Sequence, residues 1–174
     1  MAISLGTWRF VEPRVGAQPI ATTSTSQLHP LGTEVRARDI GTTNYGEGRF
    51  IYLLGVASTA AGNTVSYNAT TYQTTLLPNT ANLNTPVAVA QSANVASQYG
   101  WYQVEGLCPI FKTAVAVSPQ VSVFLSGTAG RVKSTATTGK QLVNAKSANL
   151  ATVAAGTSAV TVLLNRPHAQ GQII

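Results

Sequence analysis

From about Thr33 onward, apolar and polar residues alternate in short runs instead of recurring at helical spacing. Thr33–Asp39 puts Val35 and Ala37 on one face. The same period of two runs through Arg49–Val56, Asn63–Tyr67, Tyr72–Leu77, Val87–Gln91, Trp101–Glu105, Ile110–Val117, Val121–Ser126, Gly130–Ser134, Gln141–Ala148 and Ser158–Asn165. Short strands recurring every ~8–12 residues with turn signals between them are the pattern of an all-β sandwich or barrel. Ala61-Gly62-Asn63, Ser126-Gly127-Thr128-Ala129-Gly130 and Ala155-Gly156-Thr157 supply the tight-turn residues that hairpins need. Glu105 is the only carboxylate after Glu47, so helix-stabilising first-turn acids and ion pairs are almost absent. Asn144–Ala154 has the best helical propensity, and even it is expected as strand or loop. The expected fold is all-β: a compact β-barrel or β-sandwich of short antiparallel strands, with its body over residues 33–167 and a C-terminal tail over 168–174.

Residues 1–32 break the pattern. Gln18–Pro30 is polar, lacks an apolar period and is bracketed by Pro13, Pro19 and Pro30. Proline fixes φ and biases its predecessor toward extended backbone. Trp8, Phe10 and Val11 are larger apolar groups than a solvated tail needs. The segment is expected to be an extended N-terminal arm that orders against something else; the alternative is a first strand tucked into the body's own sheet.

Composition narrows the classes. The 174 residues (18.1 kDa) fit one domain with an arm. Only 9% are charged, against roughly 25% in a typical domain. At 44% hydrophobic and +6, the chain is not of the disordered type. One cysteine, Cys108, excludes a disulfide scaffold and reads as a small buried residue. The longest apolar run, Phe50–Ala57, is far short of the ~20 residues of a spanning helix, so no membrane partner is expected. The first ten residues show no basic stretch leading into an apolar one, which predicts synthesis in a cytoplasm.

Little chemistry is on offer. Glu12, Glu34, Asp39 and Glu47 all precede residue 48, and Glu105 stands alone. His29 and His168 lie at the margins of the expected body and read as solvated rather than as members of a triad. No Cys or His pair has zinc spacing, and no acidic loop suits calcium. Thr138-Gly139-Lys140-Gln141 lacks the other residues of a phosphate loop and reads as a turn. The expectation is a chain without cofactor, metal or catalysis. Residues 1–47 balance four bases with four acids; Arg49, Lys112, Arg131, Lys133, Lys140, Lys146 and Arg166 against Glu105 make the whole excess. Those bases are scattered, so attraction to an anionic surface follows but specific nucleic-acid recognition does not.

Val87–Gly106 (VAVAQSANVASQYGWYQVEG) resembles the small decoration or cement proteins on the outside of tailed-bacteriophage heads. It shares an apolar alternation, a polar bend, then Tyr99-Gly100-Trp101-Tyr102-Gln103-Val104 and Gly106. Ser126-Gly127-Thr128-Ala129-Gly130-Arg131-Val132 is similar to their Thr-Ala-Gly hairpin. Ala155-Gly156-Thr157, Val160–Asn165 and Arg166-Pro167 are similar to their last strand. The resemblance covers roughly residues 33–167. It implies a virion structural protein, assembled in the host cytoplasm, that clamps neighbouring major capsid protein subunits as a homotrimer. On that reading the capsid contacts are Trp8, Arg9, Phe10, Val11 and Ile20 of the arm, with Trp101, Tyr102, Arg131 and Lys133 at the interface of the body. The competing reading is a glycan- or receptor-binding β module of a tail fibre or adhesin, with Tyr45, Tyr67 and Tyr72 as a sugar platform; cross-strand packing is their plainer role.

Overall fold

The computed structural model describes residues 3–12, 16–93 and 96–172. They form strands and loops without helix. The strands are β1 (Trp8–Phe10), β2 (Thr23–Ser24), β3 (Glu34–Asp39), β4 (Glu47–Leu54), β5 (Thr64–Tyr67), β6 (Thr74–Leu76), β7 (Val87–Ala90), β8 (Tyr99–Phe111), β9 (Ser122–Leu125), β10 (Val132–Lys133), β11 (Gln141–Ser147) and β12 (Ala159–Ala169). They make one antiparallel sheet of order β1-β3-β4-β8-β12-β11-β9-β10. β5, β6 and β7 branch from β8, and β2 pairs with the start of β8.

The expected body strands are present, with two differences. Trp101–Glu105 and part of Ile110–Val117 are one long strand, β8, which bends at Gly106 instead of ending there. Gly106 has φ +97, and a Cβ on it would lie 2.5 Å from the Glu47 carbonyl oxygen, so glycine permits both the bend and the close approach of β4. The Gln103 side-chain amide donates to the Glu105 and Leu107 carbonyls, each at 3.0 Å, and so satisfies backbone that the bend removes from the ladder. Second, the last strand passes the expected boundary at residue 167 and ends at Ala169. Arg166 takes φ +48 and Asn144 on β11 takes φ +61, a paired irregularity after which pairing resumes at Val143–His168. Of the two expected architectures the sandwich is the one present, since the sheet does not close into a barrel. Val132 reaches Lys112 beyond β8 through a single bridge, β10 being only two residues long, and the result is sandwich-like.

Three buried clusters follow. Val123, Leu125, Leu142, Val160, Val162 and Leu164 pack with Cys108 and Ile110 at the β8–β12–β11–β9 end. Ile51, Leu53, Tyr102 and Val104 pack under β5 and β7. On the opposite face of β4 and β8, Phe50, Tyr52 and Trp101 pack with Val35, Ala37 and Ile20, and Trp8, Phe10, Leu31 and Tyr99 border them. The N-terminal segment covers this third cluster.

The expectation of an extended arm is therefore corrected in this structure. β1 pairs with β3, with Trp8 opposite Asp39 and Phe10 opposite Ala37. Trp8 lies edge-on to Phe50 with centroids 4.8 Å apart, and Phe10 edge-on to Trp101 at 6.0 Å. Besides the β2–β8 pairing and the buried Ile20, the polar stretch is anchored by Gln18, which is 4% exposed. Its side-chain carbonyl accepts from the Tyr52 hydroxyl at 2.7 Å, and its amide donates to the Thr22 and Tyr99 carbonyls. Its backbone carbonyl accepts from the Trp101 indole at 2.9 Å, and its N–H donates to His29 Nε2. The aromatic face carries two polar tips, and a polar segment is what matches them.

Candidate interaction surface

On β3 the side chains alternate, Val35 and Ala37 inward and Glu34, Arg36 and Arg38 outward, which places charge on one sheet face. Arg36 stands opposite Arg49 on β4, and Arg38 opposite Glu47. Arg36 donates to Glu47, while Arg38 reaches the same carboxylate at 3.7 Å. Arg166 grips Glu34 through two bonds of 2.9 and 2.6 Å, and Arg49 lies 3.5 Å from Glu34 and 3.4 Å from Glu105. Exposed pairs of this kind contribute roughly 0–1 kcal/mol each. Their larger effect is to engage Glu34, Glu47 and Glu105. Asp39 is occupied as well: it accepts from the Thr7, Gly41 and Tyr45 N–H groups and the Thr43 hydroxyl. Burial works to raise its pKa, but those hydrogen bonds, Thr43 foremost, outweigh it and hold the carboxyl below its ordinary value.

The remaining reactive types are likewise built into the fold. Cys108 is buried, and desolvation pushes its thiol up to about 12 against a hydrogen bond from Gln91, so it holds no thiolate near neutrality. His29, expected to be solvated, packs 5.1 Å from Tyr52 and 5.3 Å from Trp101, and His168 lies within β12 opposite Val143. Lys112 is buried, its ammonium donating to the Thr113, Val115 and Ala155 carbonyls, and burial lowers its pKa. Among the described residues no three His, Cys, Asp or Glu side chains converge as metal ligands. Among the described residues no helix is long and apolar enough to cross a membrane.

The expected contact residues divide. Trp101 and Tyr102 are 0% and 1% exposed, and Ile20 is 3%, so these three are core rather than interface. Their apolar side chains close the domain itself. Trp8 and Phe10 are half-buried against that core. Arg131 lies over the Phe111 ring at 5.5 Å, and Lys133 is half-buried on β10. Arg9 and Val11 are exposed. Of the tyrosines, Tyr67 and Tyr72 border the β4–β5–β7 cluster, while the Tyr45 hydroxyl donates to the Ser4 carbonyl beside a separate cavity that includes Ile3, Pro109 and Val153.

Sequence reasoning missed the combination at the sheet's β1 edge. Arg9 and Arg38 are directly opposed across β1 and β3, and Val11 and Ile40, 43% and 52% exposed, flank them in a shallow depression. The alternation of Arg36, Arg38 and Ile40 was visible along β3, but its meeting with Arg9 and Val11 depends on the β1–β3 register. No known protein family matches the chain, and no curated protein matches it.

Proposed function

We propose that the chain is a virion structural protein that binds the outer surface of a phage capsid and cements neighbouring major capsid subunits, as a homotrimer and without catalysis. The observation that carries this reading is an all-β body whose acidic groups are engaged by arginines or backbone N–H groups. Bases and separated apolar side chains are left on its surface. Such a surface suits adhesion to an anionic, extended partner better than chemistry on a small molecule. The head-protein resemblance of Val87–Gly106 supplies the class of partner, and that stretch provides β7 and the first half of β8. Three-fold attachment slows dissociation, because each further contact becomes intramolecular and adds ~10²–10⁴ in avidity. With Trp101, Tyr102 and Ile20 interior, the contacts fall to outward residues such as Arg9, Val11 and Lys133.

The test is co-sedimentation with capsids stripped of surface proteins, followed by electron microscopy. Density at three-fold positions supports the proposal, and capsids that pellet without the protein refute it. Light scattering tests the trimer separately: about three times 18.1 kDa is expected, and a monomer at all concentrations removes that part.

A further inference from the structure

β1 is the outer strand of the sheet, and nothing among the described residues pairs with its free edge. Which backbone groups it offers follows from its bonds to β3. Val11 N–H donates to the Arg36 carbonyl and Ile40 N–H to the Thr7 carbonyl, so Thr7, Arg9 and Val11 direct their backbone groups toward β3. In an antiparallel ladder the intervening residues face the other way. The N–H and C=O groups of Trp8 and Phe10 therefore point outward, in position to receive another strand.

The side chains on this edge state what kind of strand. Arg9 and Arg38 face one another in register, an arrangement that disfavours the pairing, since like charges directly opposite repel. Arg38 shares Glu47 with Arg36, and Arg9 has no ion-pair partner among the described residues. The edge thus has unneutralised positive charge between two apolar side chains, Val11 and Ile40. A second copy of this chain docking β1 against β1 would bring Arg9 toward Arg9, so the charge selects against self-pairing.

We propose that this edge is a docking site for an extended acidic segment of another protein. The segment adds a strand to β1, bonds the backbone of Trp8 and Phe10, and sets a carboxylate beside Arg9 and Arg38 with apolar residues on either side. Main-chain bonds give such sites their affinity and side-chain pockets their specificity. The site does not depend on the particle reading above, because its ligand is defined by chemistry alone and its test contains no capsid.

The probe is a capped heptapeptide with glutamate at its centre, valine two residues to either side and threonine elsewhere, so that one face runs valine, glutamate, valine, and it is compared with the same peptide carrying lysine for glutamate. Titration of the full-length protein is expected to give saturable binding of the glutamate peptide only. Arg9→Glu is expected to weaken it by at least about tenfold, the equivalent of 1.4 kcal/mol. The Arg9→Glu, Arg38→Glu double variant should prefer the lysine peptide. Hydrogen exchange gives the second readout: the Trp8 and Phe10 amides should slow when peptide is bound. Failure of the glutamate peptide to bind overturns the proposal, as does equal binding of the two peptides. Binding that leaves those two amides exchanging at their free rate also overturns it, since charge attraction alone would then account for the complex. Because Arg9 and Arg38 are exposed, the variants are expected to fold, and an unchanged melting temperature verifies it.

Discussion

Gln18 shows how much one polar residue can hold. It carries five side-chain or backbone bonds to the aromatic face and its own loop, and loss of its side chain leaves the buried Tyr52 hydroxyl without its acceptor. Gln18→Ala is expected to cost about 1–3 kcal/mol, the range for stranding a buried polar group. At ~2–4 °C per kcal/mol for a chain of this size, thermal unfolding should register a clear drop. Asp39 makes a pH prediction. Its folded pKa is depressed, so its contribution is complete above the unfolded value near 3.8 and is lost as pH falls through the lower folded value. Exchange of the Thr7, Gly41 and Tyr45 amides should accelerate in that acid window. In Asp39→Asn, which keeps one acceptor but no charge, those amides should exchange faster than in the parent at neutral pH.

Elements were legible in the sequence where burial is one-sided and illegible where a neighbour decides. Thr33–Asp39 is read correctly to within a residue because Val35 and Ala37 face a core while Arg36 and Arg38 face water. The continuity of β8 is hidden, since Glu105-Gly106 looks like a terminus and only the approach of β4 and the reach of Gln103 explain why the strand continues. Gly106→Ala should test this: where the backbone suits alanine the exchange stabilises by ~0.4–1 kcal/mol, but with φ +97 and a carbonyl in the way it is expected to destabilise by more than that, measured by urea unfolding. The N-terminal segment joins the body's own sheet, the alternative its sequence offers, for a related reason. Its polarity suits an arm that orders against another body until the Tyr52 hydroxyl and Trp101 indole it serves are known. Removing residues 1–31 is accordingly expected to uncover Phe50, Tyr52 and Trp101 and to give a protein that binds hydrophobic dye or aggregates. A cleanly folded truncation with native near-ultraviolet dichroism would show the segment to be dispensable.

At the scale of the whole molecule, +6 is spread over a body whose carboxylates already have partners. Retention on an anionic surface should therefore fall steeply between low and moderate salt, because the Debye length shortens to ~8 Å at physiological ionic strength. Salt-independent retention would indicate apolar contact through side chains such as Leu150, which projects fully from its loop. The candidate surface was invisible at this scale from sequence, since its parts lie on two strands and acquire meaning only from register.

The Gln18 clasp also dictates an order of events at the ribosome. Gln18 leaves the exit tunnel 83 residues ahead of Trp101, its indole partner. At ~5–20 residues per second that interval lasts roughly 4–17 s. Once Asp39 has emerged, the nascent chain can pair Trp8–Phe10 with β3 but cannot complete the lid over its aromatic layer until Trp101 follows. The newborn polypeptide is thus sticky for seconds, and translation speed across residues 40–101 governs how long a chaperone or a neighbouring chain has to intercept it.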